Sequence, residues 1–301
     1  MKILLTFRLA SPELASRMAA DPLLAAALGP RPNAAVGYLF PKAFDAAGSV
    51  LPRLLDVCAG ERISFLRQMQ FSAAETGNSS HLEVICKSTI SQTPPDRRAM
   101  GAAYGAESLQ PTASRWPVRL PSQAFLSKPV PPANISHIDQ WTGEYAVGQD
   151  AVQALEASGF SGYELLPLLH GVSGQPQPHG RHLSTRALLP EALLDATTFE
   201  TPDDLPHQPT QPRRYGLLSY EAGALDATAD LARTAEPWGA WRTPNWVVRQ
   251  PVRRWFEAAG LKGWGFKPVL VAGTAAHEQH ARLWEATLQS LANHGRAEIL
   301  A

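Results

Sequence analysis

Cysteines and long apolar runs are both scarce in this chain of 301 residues. The two cysteines, Cys58 and Cys86, lie in separate apolar stretches, which is typical of buried free thiols and not of a disulfide framework. No stretch approaches the roughly 18 uninterrupted apolar residues of a membrane-spanning helix. Arg8 interrupts the first apolar run too early for the core of a secretory signal. We therefore expect a cytoplasmic protein without a membrane partner.

An excess of charge of one sign is also absent, because 27 lysines and arginines balance 27 aspartates and glutamates. Such a chain has no global basic field to hold nucleic acid, so we expect no nucleic-acid partner. The motifs GxxxxGK[ST], GxGxxG, GxSxG and HExxH are missing as well. Their absence excludes the enzyme classes that are easiest to recognise, and we expect neither a catalytic residue nor a cofactor.

Two groups of histidines are the candidates for a metal site. His277 and His280 are three residues apart and share a helix face. His170, His179 and His182 lie in HGVSGQPQPHGRH, whose prolines and glycines predict an exposed loop. A zinc site takes three or four protein ligands, and no cysteine or carboxylate pair completes His277 and His280. The three histidines of the loop could converge, but loops of this composition are generally mobile. We therefore predict that these histidines are surface residues and that the protein holds no metal.

The main positive feature is an internal duplication, in which residues 145–169 return as residues 246–270 at a constant offset of 101. Both copies are predicted to form a strand, an amphipathic helix and a second strand. Gly159 and Gly260 end the two helical patterns, where a left-handed backbone favours glycine, so we expect positive φ at both. Eight of 25 positions are identical: Val147/Val248, Gln149/Gln250, Glu156/Glu257, Ala157/Ala258, Gly159/Gly260, Gly162/Gly263, Pro167/Pro268 and Leu169/Leu270.

The remaining patterns predict an α+β fold with two domains. Residues 2–9 are read as the first strand, and RISFLRQMQFS and HLEVICKSTI, separated by the polar ETGNSS, as a β-hairpin. Prolines accumulate between residues 109 and 133 without periodicity, which indicates a domain boundary. We predict an amino-terminal α+β domain at residues 1–121 and a carboxy-terminal α+β domain at residues 122–301, with both copies in the second.

A group of tryptophans and arginines gives the candidate binding site. Six of the eight tryptophans fall between residues 238 and 284. Trp238 and Trp241 lie in RTAEPWGAWRTPNW, at residues 233–246, where prolines and a glycine predict an exposed loop. Tryptophan and arginine are enriched at binding hot spots. We therefore assign partner binding to Arg233, Trp238, Trp241 and Arg242, and packing over the adjacent strand is the alternative for the two tryptophans.

The second copy, with its short helix, AAGL-x-G at residues 258–263 and an apolar strand, resembles a module of bacterial polymorphic-toxin immunity-type proteins. These proteins are related to the myxobacterial double-CxxCG group, whose paired cysteine motifs are missing here. The resemblance implies an immunity protein that binds and neutralises a cognate toxin, and it brings no catalytic residue. Two alternatives remain open: a scaffold or regulatory α/β protein, and an enzyme with an unfamiliar site between the two copies.

Overall fold

Helices and β-sheets both build the protein in the computed structural model, which confirms the predicted α+β class. The structure describes residues 1–9, 12–29, 39–61, 63–96, 99, 109–110, 118–119, 123–139, 143–193, 197–200, 213–238, 243–292 and 297–300. The helices in these ranges are α1 (Pro12–Ala20), α2 (Pro22–Leu28), α3 (Val50–Val57), α4 (Ala73–Asn78), α5 (Gln149–Ser158), α6 (Gln250–Ala258) and α7 (Ala275–Ala292). None of these helices is long and apolar enough to span a membrane.

The strands of the same ranges are short, and most belong to three sheets. They are β1 (Lys2–Leu9), β2 (Leu39–Asp45), β3 (Ile63–Gln70), β4 (His81–Cys86), β5 (Thr89–Ile90), β6 (Leu109–Gln110), β7 (Val118–Arg119), β8 (Ala124–Leu126), β9 (Ile135–Ile138), β10 (Tyr145–Gly148), β11 (Glu164–His170), β12 (Pro176–Ser184), β13 (Thr197–Glu200), β14 (Arg213–Gly216), β15 (Ser219–Tyr220), β16 (Leu231–Trp238), β17 (Thr243–Arg249), β18 (Trp264–Pro268), β19 (Leu270–Val271) and β20 (Ala297–Leu300).

One unit consists of Met1–Glu75 and Ala272–Ala301. Its sheet has the order β2-β1-β3-β20, and β1 occupies the residues predicted for it. Alternate residues of β1, namely Ile3, Leu5 and Phe7, are buried in a core that α1, α2, α3 and α7 complete. Cys58 lies in this core as a free thiol, and desolvation raises its pKa to about 12, so it stays protonated at neutral pH.

The second unit, Thr76–Val271, contains both copies of the duplication. Its two large sheets have the orders β5-β9-β10-β12-β11-β8 and β13-β14-β16-β17-β4-β18. The boundary predicted between residues 121 and 122 falls inside this unit, and α7 belongs to the other unit. The predicted division and the observed one therefore differ at both ends of the carboxy-terminal domain.

The hairpin predicted for β3 and β4 is wrong, because β3 pairs with β1 whereas β4 pairs with β17 and β18. The segment between the two strands contains the helix α4. Ser72 Oγ accepts the Glu75 N–H at 3.2 Å, and the Glu75 carboxylate accepts the Ser72 N–H at 2.7 Å. This reciprocal capping box is a helix-start signal, and it explains why residues predicted as a turn are helical.

Both copies have the predicted secondary structure, β10-α5-β11 in the first copy and β17-α6-β18 in the second. The backbone φ is 70° at Gly159 and 66° at Gly260, which confirms the positive φ expected at both. The helices bury equivalent positions, since Ala151 and Leu155 of α5 correspond to Val252 and Phe256 of α6.

The duplication extends beyond the matched sequence. The strand order β9-β10-β12-β11 around the first copy is repeated as β16-β17-β4-β18 around the second. We call β9 and β16 the leading strands, and β12 and β4 the exchanged strands. The strand register is also the same in both sheets, as the identical residues Val147 and Val248 show. Val147 pairs with Ile135 on the leading strand and Arg181 on the exchanged strand, and Val248 pairs with Leu231 and Leu82 on the equivalent strands.

The exchanged strands connect two halves of the second unit, residues 81–170 and residues 176–271. Each half begins with its exchanged strand, and its leading strand comes later, directly before the copy. The first strand of the first half, β4, lies in the sheet of the second copy, and the first strand of the second half, β12, lies in the sheet of the first copy. Each half therefore completes the sheet of the other half, and neither sheet is formed by one half alone.

Both copies also build one shared hydrophobic core. This core contains the equivalent pairs Tyr145/Trp246, Val147/Val248 and Leu155/Phe256. The rings of Tyr145 and Trp246 meet edge to face with their centroids 5.4 Å apart. Contact between two equivalent residues is expected where an approximate two-fold axis relates the halves. Smaller cores cover the outer faces of the two sheets at equivalent positions: Ala146/Val247, Leu168/Val269 and Leu126/Tyr220.

A second pair of glycines fixes how closely the halves approach. Gly162 and Gly263 have φ of 87° and 104°. A Cβ atom on Gly162 would overlap the carbonyl oxygen of Leu231, and a Cβ on Gly263 would overlap that of Ile135. The N–H groups of these two leading-strand residues donate to the carbonyl oxygen just before each glycine, at 3.1 and 2.8 Å. Glycine is therefore required by contact between the halves as well as by φ.

Candidate functional site

The predicted binding loop at residues 233–246 is largely regular structure. β16 and β17 run antiparallel through it, and Trp238 pairs with Thr243. The exposed-loop prediction is therefore wrong for the flanks of this segment, while Trp241 and Arg242 lie outside the described residues. The prolines that suggested a loop face each other as the pair Pro237/Pro244, next to a register irregularity. Such irregularities accept prolines that a regular ladder would exclude.

Arg233 does not lie on the surface, because only 2 % of its side chain is exposed. Its Nη1 donates to Glu144 Oε1 at 3.1 Å, and His182 Nε2 lies 3.0 Å from Glu144 Oε2. Glu144 and His182 are both fully buried. Burial lowers the pKa of the Arg233 guanidinium, and the nearby Glu144 carboxylate opposes that shift. The arginine predicted as a partner anchor thus belongs to a buried ionic cluster that joins β16 to β12.

The second copy has a polar pair at the equivalent place. Glu144 corresponds to Asn245 at the 101-residue offset, and His182 corresponds by register to Glu83. The Asn245 amide donates to the Glu83 carboxylate, and Lys267 Nζ lies 3.5 Å from that carboxylate. Each exchanged strand is therefore held by a polar contact beside the first strand of a copy, fully buried in the first copy and partly buried in the second. No identity between the copies marks these residues, so no pattern in the sequence pointed to them.

A histidine lies beside the aromatic contact at the centre of this unit. The ring centroid of His137, on β9, lies 5.1 Å from that of Tyr145. Desolvation lowers the pKa of His137 to about 4, although Glu144 and Asp139 act in the opposite direction. Desolvation also raises the pKa of the Tyr145 hydroxyl. His137 is therefore neutral at physiological pH.

The histidines of the predicted loop at residues 170–182 do not converge. His170 Nδ1 accepts the N–H groups of Val172 and Ser173 at 3.3 Å, and His179 Nδ1 lies 3.2 Å from Gln149 Oε1. His182 is buried against Glu144, as described above. Most of the segment forms β12, so the exposed-loop prediction is wrong for residues 176–182. The sheet partners β10 and β11 account for this, since they pair with β12 on both sides.

The other histidine pair is also not a surface pair, because His280 is only 2 % exposed. Across the residues that the structure describes, no group of three or more histidine, cysteine or carboxylate side chains could hold a metal ion. The absence of a metal from the protein stays a prediction.

The surface of α6 is the place where the two copies differ most. Residues 148–162 carry two carboxylates and no basic residue, whereas the equivalent residues 249–263 carry four basic residues and one carboxylate, a formal charge of −2 against +3. Arg254 and Lys262 are exposed, and the side chain of Arg249 is 44 % exposed. We call the following residues the α6 surface: Arg249, Arg253, Arg254, Trp255 and Lys262.

Trp255 gives the α6 surface an aromatic residue that the first copy lacks, since its equivalent is Ala154. The half-buried Trp255 ring meets Phe160 edge to face, with the centroids 5.6 Å apart. Phe160 follows α5, so this contact joins the surfaces of the two copies. The replacement of Ala154 by Trp255 at an outward helix position was the sequence signal that could have identified this surface.

Comparison with known proteins adds no relative, because neither the protein-family models nor the curated proteins searched include a match to this chain.

Proposed function

We propose that this protein is a cytoplasmic protein-binding module of the bacterial immunity type, which neutralises a cognate toxin by direct binding and has no catalytic activity. The observation that carries the proposal is the difference between the helices α5 and α6. Their inward positions keep apolar residues of similar role, such as Leu155 and Phe256. Their outward positions change from Gln153 and Ala154 to Arg254 and Trp255.

The first copy forms the same strand, helix and strand with Gln153 and Ala154 at these positions, so Arg254 and Trp255 are not a general requirement of the unit. Arginine and tryptophan are enriched among the residues that dominate binding energy at protein interfaces. An interface is therefore a reason for the second copy to carry both residues on one exposed helix. The resemblance of this same segment to immunity-type proteins supports a toxin as the partner.

The buried polar groups favour binding over chemistry as the role of this unit. Glu144, His182 and Arg233 could in principle supply acid, base and cation functions. They are at most 2 % exposed and are bonded to one another. A catalytic side chain must reach its substrate within hydrogen-bond distance. This cluster instead holds β12 and β16 in place, which is a structural role.

The test is co-expression with the product of the adjacent gene. That product is expressed alone, with this protein, and with an unrelated protein of similar size as control. The expected result is growth arrest that only this protein relieves, together with co-purification of the two chains. The proposal fails if the adjacent product is harmless by itself, or if the two proteins do not associate.

A further inference from the structure

The basic charge of the α6 surface is only partly neutralised by its own neighbours. Arg253 Nε donates to Glu257 at 2.8 Å, and Arg249 Nη1 lies 3.7 Å from Asp230. These two acidic residues offset two of the four basic residues. Arg254 and Lys262 are exposed and take part in none of the ion pairs found in the described part of the chain. A partner can therefore meet two uncompensated positive charges here.

The aromatic part of the same surface is held in place before any partner binds. Trp255 packs at the margin of the central core and against Phe160. Its side chain therefore loses little conformational freedom on binding, and pre-ordering of this kind favours affinity. An aromatic side chain flanked by arginines matches the composition of interface hot spots.

We infer that the α6 surface binds an acidic patch on a protein partner, with Trp255 as the apolar contact and Arg254 as the main charged one. This inference rests on the proposed function and names the chemistry of the partner. Charge complementarity selects an acidic protein over a neutral one, since residues 249–263 keep two positive charges after Glu257 and Asp230 are counted, whereas the equivalent residues 148–162 carry a formal charge of −2. Nucleic acid is disfavoured because the chain as a whole has no net charge.

The experiment uses the adjacent gene product as the probe, titrated against the full-length chain. Arg254→Glu replaces an exposed positive charge of the α6 surface by a carboxylate, and we expect it to raise the Kd about tenfold or more. The matched control is Gln153→Glu, which introduces the same carboxylate at the equivalent exposed position of α5. We expect that control to change the Kd by less than about twofold. The affinity of the wild type should also fall between 50 mM and 500 mM salt, because exposed charges are screened.

A third variant, Trp255→Leu, tests the apolar contact, and its melting temperature shows whether the fold is kept. We expect it to weaken binding while Phe160→Leu, on the other side of the ring contact, has a smaller effect. If the wild type binds the probe and Arg254→Glu binds it with the same Kd, the α6 assignment is overturned and the proposed function stands. No association of the wild type would overturn both. Tight, Arg254-dependent binding of a short DNA or RNA duplex would overturn the assignment to an acidic protein.

Discussion

The two copies of the duplicated unit have the same backbone but hold it with different polar contacts. In the first copy, the exchanged strand β12 is joined by the buried cluster of Glu144, His182 and Arg233. In the second copy, β4 is joined by the amide of Asn245 and the carboxylate of Glu83. Both copies thus place a polar contact at this position, but they make it with different residues. Buried polar groups are costly only when they lack partners.

The surfaces of the copies teach a complementary lesson. Core positions of α5 and α6 hold apolar residues of different size, Leu155 against Phe256, and the shared core accommodates both. Outward positions differ in charge and shape, and of the changed residues Trp255 packs against Phe160 while Arg254 is exposed. A duplicated fold can therefore keep one copy as a structural support while the exposed face of the other specialises.

Removing the charge of Glu144 tests most directly whether the buried cluster stabilises the first copy. Glu144→Gln leaves the Arg233 guanidinium buried without its carboxylate, and we expect the free energy of unfolding to fall by about 3–5 kcal/mol. Urea denaturation followed by tryptophan fluorescence measures the change, since Trp246 lies in the same unit. The double variant Glu144→Gln with Arg233→Gln removes both charges and should recover part of the loss.

The control for that substitution is Glu164→Gln. Glu164 pairs with Arg186 at 3.3 Å, but the two side chains are 41 % and 82 % exposed. Exposed ion pairs contribute about 1 kcal/mol or less, so we expect a small change. Equal losses from Glu144→Gln and Glu164→Gln would show that the buried cluster does not hold the exchanged strand.

The glycines provide a second comparison with a smaller expected effect. All four have positive φ, but only Gly162 and Gly263 press against a carbonyl oxygen of the other half, while no atom lies within 4 Å of a Cβ built on Gly159 or Gly260. We expect Gly162→Ala and Gly263→Ala to cost about 2–4 kcal/mol, as overpacking adds to backbone strain. Gly159→Ala and Gly260→Ala should cost about 1 kcal/mol.

Thermal and urea denaturation of the four alanine variants test this order. Within each copy the comparison is internal, because the two glycines lie three residues apart in one loop. If all four variants lose a similar free energy of unfolding, the positive φ alone explains the four glycines. The contact between the halves then adds no further requirement for glycine.

The sequence was sufficient for the parts of the fold that rest on local signals. Alternation and helical spacing of apolar residues predict the first strand, the α+β class and the two strand-helix-strand units. The placement of glycine predicts the positive φ of Gly159 and Gly260. The hairpin failed because the capping box of Ser72 and Glu75 begins a helix within the apparent turn. That signal was present in the sequence as S-x-x-E, and it outweighed the polar turn composition.

The exchanged strands and the buried cluster could not be predicted, because they depend on contacts between distant residues. β4 precedes its sheet partner β17 by more than 150 residues, and nothing local in HLEVIC marks that pairing. The composition of residues 233–246 predicts an exposed loop, and arginine is enriched at binding hot spots, so these local signals place Arg233 on the surface. Its partner Glu144 lies 89 residues away, so only the register of the strands brings them together.

The last comparison concerns the leading strands, where His137 on β9 occupies the register position that Arg233 occupies on β16. The pKa of His137 is lowered to about 4 in the folded protein, against about 6.5 for an unfolded chain. Between these values the unfolded chain binds a proton that the folded protein does not, so stability falls as the pH falls. From pH 7 to pH 5 we expect the wild type to lose about 2 kcal/mol more than His137→Gln. His179→Gln, at an exposed position, is the control for the substitution itself. Urea denaturation at both pH values measures the difference, and an equally steep loss in His137→Gln would show that another group governs the acid sensitivity of this unit.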